Sequence, residues 1–140
     1  MKRCLGIDLG DARIGLAISD ELGMLAHPLE TIHLKKTPDP IGHIARIVQR
    51  DEIQTIVLGL PRNMDGSYGP AATKSRVFAD RLRTTIPCEV LLWDERLTSV
   101  AAQRALHESG RNIRESRSVI DQVAAQLILQ GYLDSRALSD

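Results

Sequence analysis

The chain opens on two short apolar runs, Arg3–Leu9 and Ile14–Ser19, separated by Gly10-Asp11-Ala12-Arg13. Runs of this length about a tight glycine-containing connection predict a β-hairpin. Leu25–Leu34 alternates and predicts a third strand, with Pro28 suiting an irregular start or an edge position, because proline donates nothing to a ladder. Pro38-Asp39-Pro40 breaks the pattern, and Ile44, Ile47 and Val48 then recur at helical spacing, predicting a helix over Ile41–Arg50. Thr55–Leu58 is continuously apolar up to Gly59, the pattern of a parallel strand covered on both faces. Pro61–Gly69 reads as a loop. Pro70 suits the first position of a helix running to about Arg83, with Val77, Phe78 and Leu82 inward.

Cys88–Trp93 is the next predicted strand. Thr98 or Ser99 caps a helix to about Leu106 or His107, with Gly110 at its end. A last helix starts at Ser116 or Ser118 and runs to about Asp134, its stripe being Ile120, Val123, Ala124, Leu127, Ile128 and Gly131. A meander followed by two βα crossovers predicts an α/β fold. The expected sheet is mixed and five-stranded, a three-strand antiparallel meander plus two parallel strands, with helices on both faces. At 140 residues, the whole of 1–140 reads as one domain.

Composition narrows the class. With 43% hydrophobic and 26% charged residues the chain has the balance of a globular domain. The longest stretch free of charge, Gln122–Leu133, is far short of the ~20 residues that span a bilayer. Asp8 and Asp11 interrupt the first apolar run, so no leader pattern opens the chain, and a cytoplasmic protein without a membrane partner is expected. Cys4 and Cys88 lie far from any CxxC spacing and read as buried free thiols, and the scattered histidines build no metal site. Eighteen basic residues balance eighteen acidic ones, which argues at first against a polyanionic partner. Fourteen of the eighteen basic residues are arginine, however, whose planar fork grips phosphate in a bidentate way.

Three acids stand where a sheet and its covering helix could gather them. Asp8 interrupts the first apolar run, Glu95 follows Asp94 at the carboxyl end of the Cys88–Trp93 strand, and Asp121 borders the apolar face of the last helix. The carboxyl end of such strands is where sites form in open α/β sheets. Gathered carboxylates repel one another, and a divalent cation removes that cost; hard oxygen ligands select Mg²⁺ or Mn²⁺. Structural roles are open to each acid as well. Asp8 could accept from the Gly10–Arg13 turn, Asp94 or Glu95 could pair with Arg96, and Ser118 with Asp121 has capping-box spacing. Arg62 and Asn63, next to the strand that ends at Gly59, are candidates for phosphate contact, as are Arg13, Arg96 and Arg117 around the acids. Arg111, Arg114 and Arg117 otherwise read as part of a solvated loop before the last helix.

The segment Gly6-Ile7-Asp8-Leu9-Gly10-Asp11-Ala12-Arg13-Ile14-Gly15-Leu16-Ala17 resembles the N-terminal signature of the YqgF family. Three further blocks match in order: Gly59-Leu60-Pro61 with Asn63 and Asp65-Gly66; Asp94-Glu95-Arg96-Leu97-Thr98-Ser99; and Ile120-Asp121 with Ala124-Ala125, Ile128-Leu129-Gln130 and Tyr132-Leu133-Asp134. The resemblance implies a ribonuclease H-like fold and a metal-dependent endonuclease, akin to nucleases that mature the pre-16S rRNA 5′ end and to Holliday junction resolvases. It implies that Asp8, Glu95 and Asp121 form the catalytic, metal-binding triad. Structured RNA and branched DNA are the substrates it suggests, for a monomer or a homodimer. Asp11 departs from the family pattern, in which threonine is common, and places an extra negative charge near the acids. Arg117 stands near where a lysine is common. Two other readings remain: a catalytically silent nucleic-acid- or protein-binding domain, and a phosphotransferase, since Asp-x-Gly after a first strand also opens the sugar-kinase fold. The latter normally needs a second domain and a second phosphate motif, and no GxxxxGK[ST] is present.

Overall fold

A computed structural model describes residues 3–63, 65–94 and 113–139, with the side chains of 119–136 in the last stretch. The expected helix near Thr98–His107 lies outside the described residues, as do Glu95 and Arg96. Strands β1 (Arg3–Leu9), β2 (Arg13–Ser19) and β3 (Ala26–His33) form the antiparallel meander. Strands β4 (Ile53–Leu60) and β5 (Glu89–Asp94) add in parallel beyond β1, giving the order β3-β2-β1-β4-β5. Helices α1 (Pro40–Arg50) and α2 (Pro70–Thr85) form the two crossovers, and α3 (Ile113–Ser139) closes the fold. This is the mixed five-stranded sheet expected from the pattern.

The pleat sorts the side chains. Leu5 and Ile7 of β1, Ile14 and Leu16 of β2, and Ile56 and Leu58 of β4 pack with Ile41, Ile44, Ile47 and Val48 of α1 and with Phe78, Ala79 and Leu82 of α2. The opposite parity, Cys4, Ala17 and Val57, meets Ala125, Ile128, Leu129 and Leu133 of α3. The two faces therefore carry different packing: branched and large residues beneath α1 and α2, small ones beneath α3. Helix α1 begins at Pro40, and the Asp39 side chain accepts from the Gly42 N–H at 3.0 Å, a cap that satisfies one of the helix's orphan donors. Burial raises the pKa of the Cys4 and Cys88 thiols; Cys4 is buried and Cys88 is half-buried.

Pro28 does lie on an edge strand. Leu16 pairs with Glu30 and Ala17 with Pro28, so Leu29 is the extra residue of a bulge. Elsewhere the pattern misleads. Val77, expected inward on α2, is 55% exposed, because Ala72, Ser75, Phe78, Ala79 and Leu82 make the buried face. Helix α3 starts at Ile113 and extends to Ser139, so Arg114 and Arg117 lie in its first turns rather than in a loop. Its buried stripe is also rotated from the expected one: Ala124, Ala125, Ile128, Leu129 and Leu133 face the sheet, while Val123 and Leu127 are only partly buried. Asp121 therefore leads the packing stripe instead of bordering it, and it sits well inside the helix, where a capping box with Ser118 cannot form.

The rotation has a physical cause. A side chain on Gly6 would place its Cβ 2.8 Å from both the Ala125 carbonyl oxygen and the Leu129 Cβ, so small residues on both partners let the helix lie directly on the sheet. Polar bonds fix the same rotation from one side. Gln122 donates to Thr31 Oγ1 at 3.1 Å and Gln126 to the Ala26 carbonyl at 3.0 Å. Gln130 accepts from the Ala26 N–H at 2.8 Å and donates to the Met24 carbonyl at 3.0 Å. Among the described residues no helix is long and apolar enough to cross a membrane. Gly6→Ala should destabilise the fold by about 1–3 kcal/mol, the range for overpacking a filled seam, read as a lower urea midpoint with an unchanged slope.

Candidate active site

Asp8 and Asp121 come together through one ladder pair. In the β1–β2 register Asp8 lies opposite Gly15, and opposite residues in such a ladder have Cα atoms about 4.5–5.5 Å apart. A Cβ built on Gly15 would run into the Asp121 carbonyl and lie 2.9 Å from its Cβ. Gly15 is thus the gap through which α3 brings Asp121 down beside Asp8. Both acids lie on the α3 face, at the carboxyl end of β1, and both are partly buried.

Arg13 shares that face, two residues before Gly15. Its Nε donates to Asp121 Oδ2 at 2.7 Å, across 108 positions of sequence. With the two side chains only 30% and 15% exposed, this charge-assisted bond fixes the Asp121 rotamer more firmly than a surface pair would. Sequence pattern placed Arg13 among the phosphate contacts; the geometry adds a partner the pattern could not show.

Asp11 and Asp94 each meet a cation. Asp11 in the β1–β2 turn accepts from Lys74 Nζ of α2 at 2.7 Å. That ammonium holds the Asp11 carboxyl below the usual aspartate value, first through the hydrogen bond and then through its charge. The extra negative charge noted in the sequence is therefore balanced locally. Asp94 shares the parity of Val90 and Leu92, which pack on the α1–α2 face, and Arg62 Nη1 approaches its Oδ2 at 3.3 Å. That parity separates Asp94 from the Asp8–Asp121 face.

Beyond β4 the chain turns through a hydrogen-bonded loop. Asn63 N–H donates to the Ser67 carbonyl at 2.8 Å and its side-chain amide to Ser67 Oγ at 3.0 Å. Asp65 Oδ1 accepts from the Ser67 N–H and hydroxyl at 2.9 and 2.6 Å, which holds the Asp65 carboxyl below its usual value. Gly66 has a φ of +91°, which favours glycine. Arg62 Nε donates to the Gly66 carbonyl at 2.7 Å, so Arg62 and Asn63 are built into the loop that follows the strand. The Arg62 and Arg76 guanidinium groups both lie over the Tyr68 ring, a grouping that the hydropathy pattern does not reveal.

Asp8 and Asp121 thus lie on either side of Gly15, with Arg13 against Asp121, and Arg62 and Asn63 lie beyond the neighbouring strand. Glu95 and Arg96 lie outside the described residues, and Arg117 is placed only as a backbone position in α3. Among the described residues no group of three or more His, Cys, Asp and Glu side chains is disposed to hold a metal. The two acids present offer only hard oxygen donors, the chemistry that suits Mg²⁺ or Mn²⁺ rather than a thiophilic metal.

Comparison with known proteins gives the family and the fold. A protein from Halalkalibacterium halodurans named "Putative pre-16S rRNA nuclease" is 48% identical over 138 residues, covering 97% of this chain and 99% of its own. A protein of the same name from Halothermothrix orenii is 47% identical over 133 residues, with 94% of each chain covered. Among solved structures, the fowlpox virus Holliday junction resolvase superposes with a TM-score of 0.55 at 15% identity, covering 95% of this chain and 99% of that one. Thermus thermophilus RuvC in complex with a Holliday junction gives 0.52 at 15% identity, covering 98% and 96%. At that identity the likeness concerns the fold alone, the ribonuclease H-like one. The RuvX family model, described as Holliday junction resolvase, matches residues 2–135, and with near-half identity to its relatives over almost its whole length the chain belongs to this family, the YqgF group of its sequence signature.

Proposed function

We propose that this chain is a divalent-metal-dependent endonuclease of the cytoplasm that hydrolyses phosphodiester bonds in structured nucleic acid, the 5′ end of precursor 16S rRNA or a four-way DNA junction. The observation that carries the reading is the meeting of Asp8 and Asp121 across Gly15 at the carboxyl end of β1, within a nuclease family. Asp8, Asp121 and Glu95 are the residues that would hold Mg²⁺ or Mn²⁺. A divalent cation held there would supply polarisation of the scissile phosphate and a lowered pKa for the attacking water.

The protein's own groups supply position and charge. The Asp8 and Asp121 carboxylates provide the oxygen donors, and Arg13 is a positioning residue that fixes Asp121 through Oδ2 and leaves Oδ1 outside that bond. Arg62, Asn63, Arg96 and Arg117 are the proposed phosphate contacts. With no excess of basic residues overall, non-specific attraction to polyanions is weak. Affinity then depends on groups placed at the site and on the shape of the substrate. Lys74 keeps Asp11 from adding uncompensated negative charge where a phosphate backbone must approach.

Asp8→Asn and Asp121→Asn should each reduce Mg²⁺- or Mn²⁺-dependent cleavage to the level of a metal-free control while the melting transition is kept. The measurement is a panel of precursor rRNA, four-way junction and duplex. Full activity of both variants would refute the reading, and binding without cleavage in either metal would favour a silent binding domain. A second expectation concerns charge. Because its pKa is lowered in the folded state, the Asp11–Lys74 pair favours folding above the ordinary aspartate value of 3.8 and ceases to as pH falls through the lowered one. In Lys74→Gln, the Asp11 carboxyl titration followed by NMR should move upward toward that ordinary value.

A further inference from the structure

One exposed aromatic in the β4–α2 loop gathers two positive charges. The Arg62 guanidinium carbon lies 5.1 Å from the centroid of the Tyr68 ring, and that of Arg76 lies 4.8 Å from it. Both are within the ~6 Å at which a ring's negative face attracts a cation. Tyr68 is 44% exposed, so the cluster stands at the surface. Its two cations are held differently. Arg62 is tied by Nε to the Gly66 carbonyl at 2.7 Å and approaches Asp94 at 3.3 Å, whereas Arg76 has no carboxylate partner among the described residues. Asp94 balances Arg62, so the positive charge left at the ring is that of Arg76. Arg62 Nε and Nη1 are engaged within the protein, whereas the Arg76 guanidinium presents planar donors of the kind that phosphate accepts in a bidentate way.

Its place in the fold limits the phosphate further. The loop leaves the carboxyl end of β4, which runs parallel to β1, so the cluster lies at the same end of the sheet as Asp8, with Asp94, the partner of Arg62, on the α1–α2 side. The Asn63–Ser67 bonds hold the loop that carries Tyr68, and α2 begins at Pro70, two residues on, where the helix dipole adds positive potential.

We propose that Arg62, Tyr68 and Arg76 form a clamp for the backbone phosphates of the substrate strand, with Tyr68 acting as the positioning residue that holds the two guanidinium groups. The clamp rests on the nuclease reading for the identity of its ligand, a phosphodiester backbone, and adds two residues to it. Sequence is not read there; register along the strand is set.

The test is the salt dependence of binding in chelator-containing buffer, where cleavage is silent. A four-way DNA junction and a structured RNA with equal numbers of phosphates serve as probes, read by fluorescence anisotropy. Loss of one phosphate contact lowers the slope of log affinity against log salt by about 0.9 on duplex DNA and about 0.7 on single strands. Arg76→Ala should show a reduction of that size and weaken binding evenly across sequences, and Arg76→Lys should restore most of it. Tyr68→Leu should reduce the slope as Arg76→Ala does, whereas Tyr68→Phe, which keeps the ring face, should match the wild type. Unchanged melting transitions separate lost contacts from lost fold. Loss on only one probe upholds the clamp and names its nucleic acid. A wild-type slope for Arg76→Ala on both probes, or equal losses for Tyr68→Phe and Tyr68→Leu, overturns the clamp and leaves the nuclease reading in place. Wild-type binding without cleavage in any divalent metal overturns the nuclease reading alone; no binding by the wild type overturns both.

Discussion

The depth at which α3 seats on the sheet governs the rest of the molecule. Gly6 and Gly15 remove two side chains from the sheet, so the α3 backbone at Ala125 and Asp121 comes directly against it. Dispersion falls off steeply with distance, and a methyl-sized spacer in such a seam forfeits contacts along the helix rather than at one point. Site geometry follows from the same seam. With a side chain at position 15 the helix would ride higher, and Asp121 would be lifted from Asp8 and from the Arg13 guanidinium. Packing and chemistry here are one constraint, since the residue that leads the packing stripe is also a proposed ligand.

Charge at this end of the sheet is arranged in pairs. Asp121 with Arg13, Asp11 with Lys74 and Asp94 with Arg62 link elements distant in sequence. Exposed pairs of this kind contribute little to stability, and the Asp11–Lys74 pair is of that sort. The Asp121–Arg13 pair, more sheltered, orders a side chain at the site. Neutrality overall therefore coexists with strong local fields, and the absence of net positive charge says little about the partner.

Much of the architecture was legible because strands here are short apolar runs bounded by glycine, proline and acids. Pro28 announced an edge, and Asp8 announced itself as the lone acid in an apolar run. Periodicity misjudged α3 because it rewards large residues such as Val123 and Leu127, while the real seam selects alanine opposite glycine. Val77 misled for the same reason on α2. The Arg13–Asp121 bond was illegible since it depends on closure of the whole chain, and the Tyr68 cluster because cation–ring contacts leave no periodic trace. Placing Asp121 on the last helix needed only its pattern; finding what it faces needed the register of β1 against β2.

The free side of β3 bears on how molecules of this family could meet. At its start, the Ala26 N–H and carbonyl are both occupied by glutamine side chains of α3, Pro28 has no N–H to offer, and the bulge at Leu29 offsets the ladder. A sheet edge so capped is a poor template for another strand. Two copies sharing one branched substrate would therefore not meet by pairing strands at the start of β3, and this edge of the sheet is kept out of any ladder between molecules.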